Sequence, residues 1–148
     1  MDKSHFELIK MIPFLKNNNK EEVIRFANTH GFDKVHVVTA DFVNDHTLLT
    51  FAIIFSSPEM LSTLLKNGAS PNVYSNMGYT THKTAEEGGP IKMYTPLHYC
   101  VIQNKLEHAK VLLDNGADIT LPNLQGKTAF NIATSSKMRE LIQSYESP

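Results

Sequence analysis

Apolar residues in this chain come in short clusters of about two helical turns, separated by polar breaks rich in Gly and Asn. The run from His5 to Asn17 sets Phe6, Ile9, Ile12 and Phe14 beside Leu8, Met11 and Leu15, a wide apolar face at helical spacing. Pro13 lies inside that run and predicts a kink or an early stop, because it lacks an N–H and its ring clashes with the preceding turn. Asn17-Asn18-Asn19 reads as a turn, with Asn19 placed to cap a second helix whose first turn holds Glu21 and Glu22. Val23, Ile24, Phe26 and Ala27 supply the buried side of that helix, and Gly31 ends it. In the connector from Phe32 to Asp45, the β-branched stretch Val35-His36-Val37-Val38-Thr39 suits one arm of a hairpin.

The pattern then repeats. Thr47 to Phe55 and Thr95 to Gln103 are short apolar helices, each followed by an amphipathic one. Ser57-Pro58-Glu59 opens the first of these second helices as a cap with Pro in the first turn. Asn67-Gly68-Ala69-Ser70 closes it, as Asn115-Gly116-Ala117-Asp118 closes the later one. Leu64-Leu65 stand 17 and 18 places after Thr47, and Leu112-Leu113 stand 17 and 18 places after Thr95. A further unit starts at Thr128, 33 residues after Thr95, and its last helix, Lys137 to Ser144, carries Met138, Leu141 and Ile142. Matched spacing through two helices and a cap is the signature of a repeat array, in which one helix pair cannot cover its own apolar face and must stack on its neighbours.

Thr95-Pro96-Leu97-His98 followed by Cys100 resembles the ankyrin signature T-P-L-H-x-A, with Cys in the Ala position. The resemblance implies an all-α solenoid of stacked helix pairs with β-hairpin finger loops, covering residues 1–148 as one domain. It divides into an N-terminal helical cap or degenerate repeat (1–33), a repeat (47–72), an insertion (73–93), a repeat (94–121) and a C-terminal capping repeat (122–148). The insertion follows from the count: Thr47 to Thr95 is 48 residues, 15 more than the period, and the surplus lies between Gly68 and Thr95. Gly78-Tyr79-Thr80 begins like a new unit, Gly89-Pro90 cuts it off, and Val73 to Met93 reads as one enlarged finger loop. Within the units, Leu64, Leu65, Leu112, Leu113, Leu141 and Ile142 are the expected joints. Thr95 and Thr128 are the expected caps, Gly68 and Gly116 the left-handed stops, and Asn104 the left-handed turn between two helices.

Composition narrows the chemistry. A net charge of -1 with interspersed signs argues against nucleic acid and against an anionic membrane surface as partners. The lone Cys100 excludes an internal disulfide and fits a reducing compartment, and no apolar run is long enough to span a membrane. The N-terminal stretch lacks an apolar signal core, so a cytoplasmic location is expected, in the producing cell or in a host cytosol. His98 is the motif histidine and is expected to bond within the turn, Cys100 to be a buried inert thiol, and His82 a solvated loop residue. No nucleophile–base pair, metal-ligand spacing or phosphate-cradling loop emerges, so no catalytic residue, cofactor or metal is expected.

By the resemblance, the chain is a non-catalytic module that binds another protein through a concave face of finger tips and first helices. The residues carried over are Val43, Asn44, His46, Ile54 and Phe55, then Lys92, Tyr94, Ile102 and Gln103, then Leu124, Gln125 and Lys127, with Tyr79 and His82 from the insertion overhanging that face or providing a second site. A monomer is expected. The Asn-, Lys- and Ile-rich sequence suggests a bacterial source, with an effector or an inhibitor or immunity-type blocker as the kind of protein. The alternatives are an enzyme or ligand-binding protein with its site in residues 73–93, and a structural piece of a larger assembly.

Overall fold

The computed structural model describes residues 7–37, 45–77 and 92–146. Four helix pairs follow one another: α1 (Ile12–Lys16) with α2 (Lys20–His30), α3 (Leu48–Phe55) with α4 (Pro58–Lys66), α5 (Pro96–Ile102) with α6 (Leu106–Asp114), and α7 (Ala129–Ile132) with α8 (Ser136–Gln143). First helices pack on first helices, α1 on α3, α3 on α5 and α5 on α7. Second helices do the same from α2 through α4 and α6 to α8. The product is a two-layered solenoid. Between the pairs stand two antiparallel hairpin bases, β1 (His36–Val37) with β2 (Asp45–His46), and β3 (Ser75–Met77) with β4 (Lys92–Tyr94). β2 lies beside β3, so the two fingers are neighbours. Of the expected insertion, the structure shows the β3–β4 base, and residues 78–91 lie outside the described residues.

Local sequence accounts for where each helix begins. Thr47, Thr95 and Thr128 each accept a hydrogen bond from the backbone N–H three residues on, while Thr50, His98 and Asn131 reach back to the cap's own N–H. These reciprocal boxes satisfy two otherwise unpaired donors at each start. Asn19, Ser57 and Ser135 cap α2, α4 and α8 with their side chains. The predicted break at Pro13 is corrected: a 3-10 turn, Ile9–Met11, leads into α1, and Pro13 stands in the first turn of that helix. A first-turn N–H has no intrahelical partner, so proline costs nothing there and marks a start. Asn18 (φ 56°) and Asn104 (φ 52°) make the left-handed turns between helices, while Gly68 (φ 122°) and Gly116 (φ 91°) make the stops. A Cβ added at Gly116 would meet nothing within 4 Å, so Gly116→Ala tests backbone strain alone. It should lower stability by about 1–2 kcal/mol, read as a fall of several degrees in Tm.

Packing between units confirms most of the expected joints. Leu64, Leu112 and Ile142 are fully buried and Leu65 and Leu113 nearly so, whereas Leu141 is only half-buried. Each such burial contributes roughly 1.5–3 kcal/mol. Polar stitches join the same units. The Ser56 hydroxyl donates to the Leu15 carbonyl at 2.7 Å, at the end of α1. Lys105 Nζ donates to the Ile53 and Ile54 carbonyls, and His108 Nε2 donates to the Ser56 carbonyl at 2.8 Å, at the end of α3. The second and third pairs thus donate to carbonyls at the C-terminus of the preceding first helix, where intrahelical partners run out. In the connectors, Ser70 N–H donates to Asp33 Oδ1 at 2.8 Å and Asp118 N–H donates to Asn72 Oδ1 at 2.9 Å.

Candidate protein-binding face

The face is built from fingers and first helices, and the sequence of those helices decides what it can show. α3 and α5 are apolar except for Thr50 and His98, and the structure buries Leu48 to Ile53 and Pro96 to Val101 without interruption. A helix of that kind belongs in a core. What reaches the surface is its last turn: Ile54 and Phe55 are half-buried, Ile102 is 46% exposed, and Gln103 beside it is exposed. Phe55 stands edge-on to Phe51, with ring centres 5.2 Å apart, and the Lys16 ammonium lies 5.8 Å from the centre of its ring.

The connector before α7 is organised by Asn123, which sequence reasoning missed. Its buried side chain accepts hydrogen bonds from the N–H groups of Gln125 and Lys127, both at 3.0 Å, while its carbonyl accepts from Gly126 N–H at 2.9 Å. The resulting turn presents Leu124, 56% exposed, with Gln125 and Lys127 exposed beside it. The signal was available: Asn ahead of Gly at this spacing builds a side-chain-closed turn. Met93 on β4 adds a further exposed apolar group. A first helix of seven residues such as α5 is about 10 Å long, which sets the distance between its finger end and its Ile102 end.

Two of the residues carried over from the resemblance face inward. His46 is buried with its ring 5.4 Å from both Phe51 and Tyr99, and its Nδ1 lies 3.3 Å from the Thr50 hydroxyl. Tyr94 is buried against Tyr99 and His98, at 5.6 and 5.7 Å between ring centres. Both underpin the face and offer it no ring. Lys92 lies on β4, and Val43, Asn44, Tyr79 and His82 lie outside the described residues. Tyr74, near the second finger, donates its hydroxyl to the Pro122 carbonyl at 2.6 Å and so ties the connectors of two units together.

The chemistry of the conspicuous side chains is structural. His98 Nδ1 accepts from the Thr95 N–H at 3.3 Å and its hydroxyl at 2.7 Å, and Nε2 donates to the Lys127 carbonyl at 2.9 Å. That arrangement requires the neutral ring, and burial lowers its pKa accordingly. Cys100 is fully buried, which pushes its thiol up and leaves it unreactive at neutral pH. Among the described residues no group of three or more His, Cys, Asp or Glu side chains is arranged to hold a metal ion. An open groove of about 790 Å³ lies between α6, α7 and α8, floored by Leu113, Ile119, Phe130 and Ile142. Its acidic groups, Asp118 and Glu146, are exposed. No helix of the described residues is long and apolar enough to cross a membrane.

Comparison with known proteins agrees with this architecture. Residues 97–143 match the model of ankyrin repeats in many copies. The structure is similar to the ankyrin-repeat domain of human ASB11, with a TM-score of 0.65, 24% identity, and coverage of 99% of this chain and 58% of that one. It is also similar to the ankyrin-repeat domain of Bcl-3, a member of the IkappaB family, with a TM-score of 0.62, 20% identity, and coverage of 86% of this chain and 48% of that one. A stretch of 43 residues is 49% identical to part of the tRNA endonuclease vms1 of Schizosaccharomyces pombe, covering 29% of this chain and 7% of that protein. The chain therefore spans less than two thirds of each of these relatives.

Proposed function

Starting from an ankyrin-repeat protein, a fold that generally serves protein–protein interaction, we propose that this chain is a non-catalytic binding module that takes a partner protein across its fingers and the ends of its first helices. One observation carries the reading. Where α3 and α5 are otherwise buried along their length, large apolar groups at Ile102, Leu124 and Met93 are left in water, flanked by Gln103, Gln125 and Lys127. Exposed apolar groups rimmed by polar ones are what a protein interface supplies. The half-buried Ile54 and Phe55 extend the same edge one unit earlier.

The test pairs Ile102→Glu with Leu124→Glu. Both sites are exposed, so helical content and Tm should stay near the parent's, within about 0.5 kcal/mol in stability. A partner captured from lysate by the parent chain should be lost by the double variant, since apolar anchors at interface centres commonly cost more than 1–2 kcal/mol when removed. Retention of the partner would place the interface elsewhere. Tyr94 is unsuitable as a probe, because its burial makes any substitution a test of folding.

A further inference from the structure

The two fingers share one design with different side chains. In β1–β2 the cross-strand partners are His36 and His46, and in β3–β4 the partners at the same place are Ser75 and Tyr94. The equivalence is fixed by the helices that follow, since His46 and Tyr94 each stand one residue before a capping threonine, Thr47 and Thr95. Each aromatic ring packs on Tyr99, His46 at 5.4 Å and Tyr94 at 5.6 Å. All four partners are buried. Opposed residues of an antiparallel pair project to the same side, and both imidazoles are buried at the base of the first finger, His36 against α2 and His46 against α3 and α5. We propose that this histidine pair makes the first finger an acid-operated latch: protonation opens the β1–β2 base while the second finger, which carries Ser75 and Tyr94, stays closed.

The surroundings favour this outcome. His36 packs against Phe26 at 5.5 Å and His30 at 5.9 Å on α2, and its Nε2 has no hydrogen-bond partner among the described residues. A second ring proton would therefore enter a site where no described residue accepts from Nε2. Lys34 on its own connector and His30 on α2 add positive potential, and Glu7 opposes them. His46 is enclosed by Phe51 on α3 and Tyr99 on α5, with Asp45 on its own strand as the opposing charge. Tyr99, the titratable neighbour of His46 on α5, has its hydroxyl pushed up by burial and is uncharged at neutral pH. Burial lowers both histidines from 6.5 to about 4. In the opened finger they return toward 6.5, so closure is complete above that value and weakens as pH falls toward the folded one. Between pH 7 and pH 5 each histidine should favour opening by roughly 20-fold, and the pair by several hundredfold. If the face proposed above binds a partner, acidification would disturb that end of it; this consequence rests on the binding reading, whereas the opening does not.

Amide hydrogen exchange on the intact chain, resolved by residue, tests the proposal without any partner. Protection factors at His36, Val37, Asp45 and His46 should fall at least 100-fold from pH 7 to pH 5, while those of Ser75 and Tyr94, whose cross-strand pair carries no histidine, should fall at least tenfold less. The double variant His36→Ser with His46→Tyr gives the first finger the second finger's pair, and it should abolish the fall. Should that variant fold poorly, ring C–H titration in the parent supplies the second measurement, with both histidines expected to titrate well below 6.5. The proposal is overturned by unchanged protection of the first finger at pH 5, by equal loss in both fingers, or by ring titration of both histidines near 6.5.

Discussion

Leu112→Ala is expected to lower the stability of the whole chain by about 3–5 kcal/mol. Leu112 is fully buried on α6, the helix that packs on α4 on one side and α8 on the other. Truncation removes the transfer term of the side chain and leaves a cavity in a stack whose neighbours are held by their own caps and stitches, so collapse around the gap is limited. Domains of this size have only about 5–15 kcal/mol in total, so the variant should be partly unfolded near body temperature. A urea titration followed by circular dichroism measures it, with the midpoint shifting at nearly constant slope if the array unfolds as one unit. Leu141→Ala is the comparison, because that side chain is half-buried and should cost about half as much or less. Equal losses at the two sites would mean that the second-helix layer is not what joins the units.

Lys105→Met should cost about 2 kcal/mol despite conserving the length of the side chain. The ammonium of Lys105 donates to the Ile53 and Ile54 carbonyls at the C-terminus of α3, in a half-buried position. A cation there meets the negative end of the helix dipole, and hydrogen bonds from charged donors contribute about 1.5–3 kcal/mol. Methionine keeps the apolar stem and removes the donors, leaving two carbonyls without that partner. Lys110→Met is the control: its ammonium lies 3.6 Å from Asp114 on an exposed face, where such a pair is worth a few tenths of a kcal/mol. Thermal unfolding of both variants decides the matter, and similar Tm values would sink the assigned role of Lys105.

Local rules carried the sequence reading as far as the helix pairs and their ends. Thr95 and Thr128 could be placed because a cap needs a short hydroxylic or amide side chain at one position, and Gly68, Gly116 and Asn104 because few residues accept a left-handed backbone. Pro13 misled because proline ends a helix that has begun and starts one that has not, and nothing nearby in sequence says which. Lys105, His108 and Asn123 were missed for different reasons. The first two act on carbonyls 51 or 52 residues away, which no local pattern encodes. Asn123 closes a turn within its own connector and was legible in principle. The inward rings of His46 and Tyr94 turn on strand parity, where a shift of one residue exchanges the buried face for the open one. In strands of two or three residues, sequence offers too short an alternation to read that parity.

The stops after α4 and α6 have a consequence for the chemical ageing of the molecule. Both place Asn before Gly, Asn67-Gly68 and Asn115-Gly116, the dipeptide whose backbone nitrogen most easily attacks the neighbouring amide to form a cyclic imide. In the fold each asparagine is turned back onto its helix, Asn67 Nδ2 donating to the Thr63 carbonyl at 2.7 Å and Asn115 Nδ2 to the Val111 carbonyl at 2.8 Å. The glycine N–H groups are occupied as well, donating to Leu65 and Leu113 carbonyls at 3.3 and 3.2 Å. Attacking atom and target are thus each held by the helix end that they terminate. Spontaneous deamidation at these two sites must wait for the helix end to fray, and the damage that accumulates there becomes a clock that runs on local unfolding.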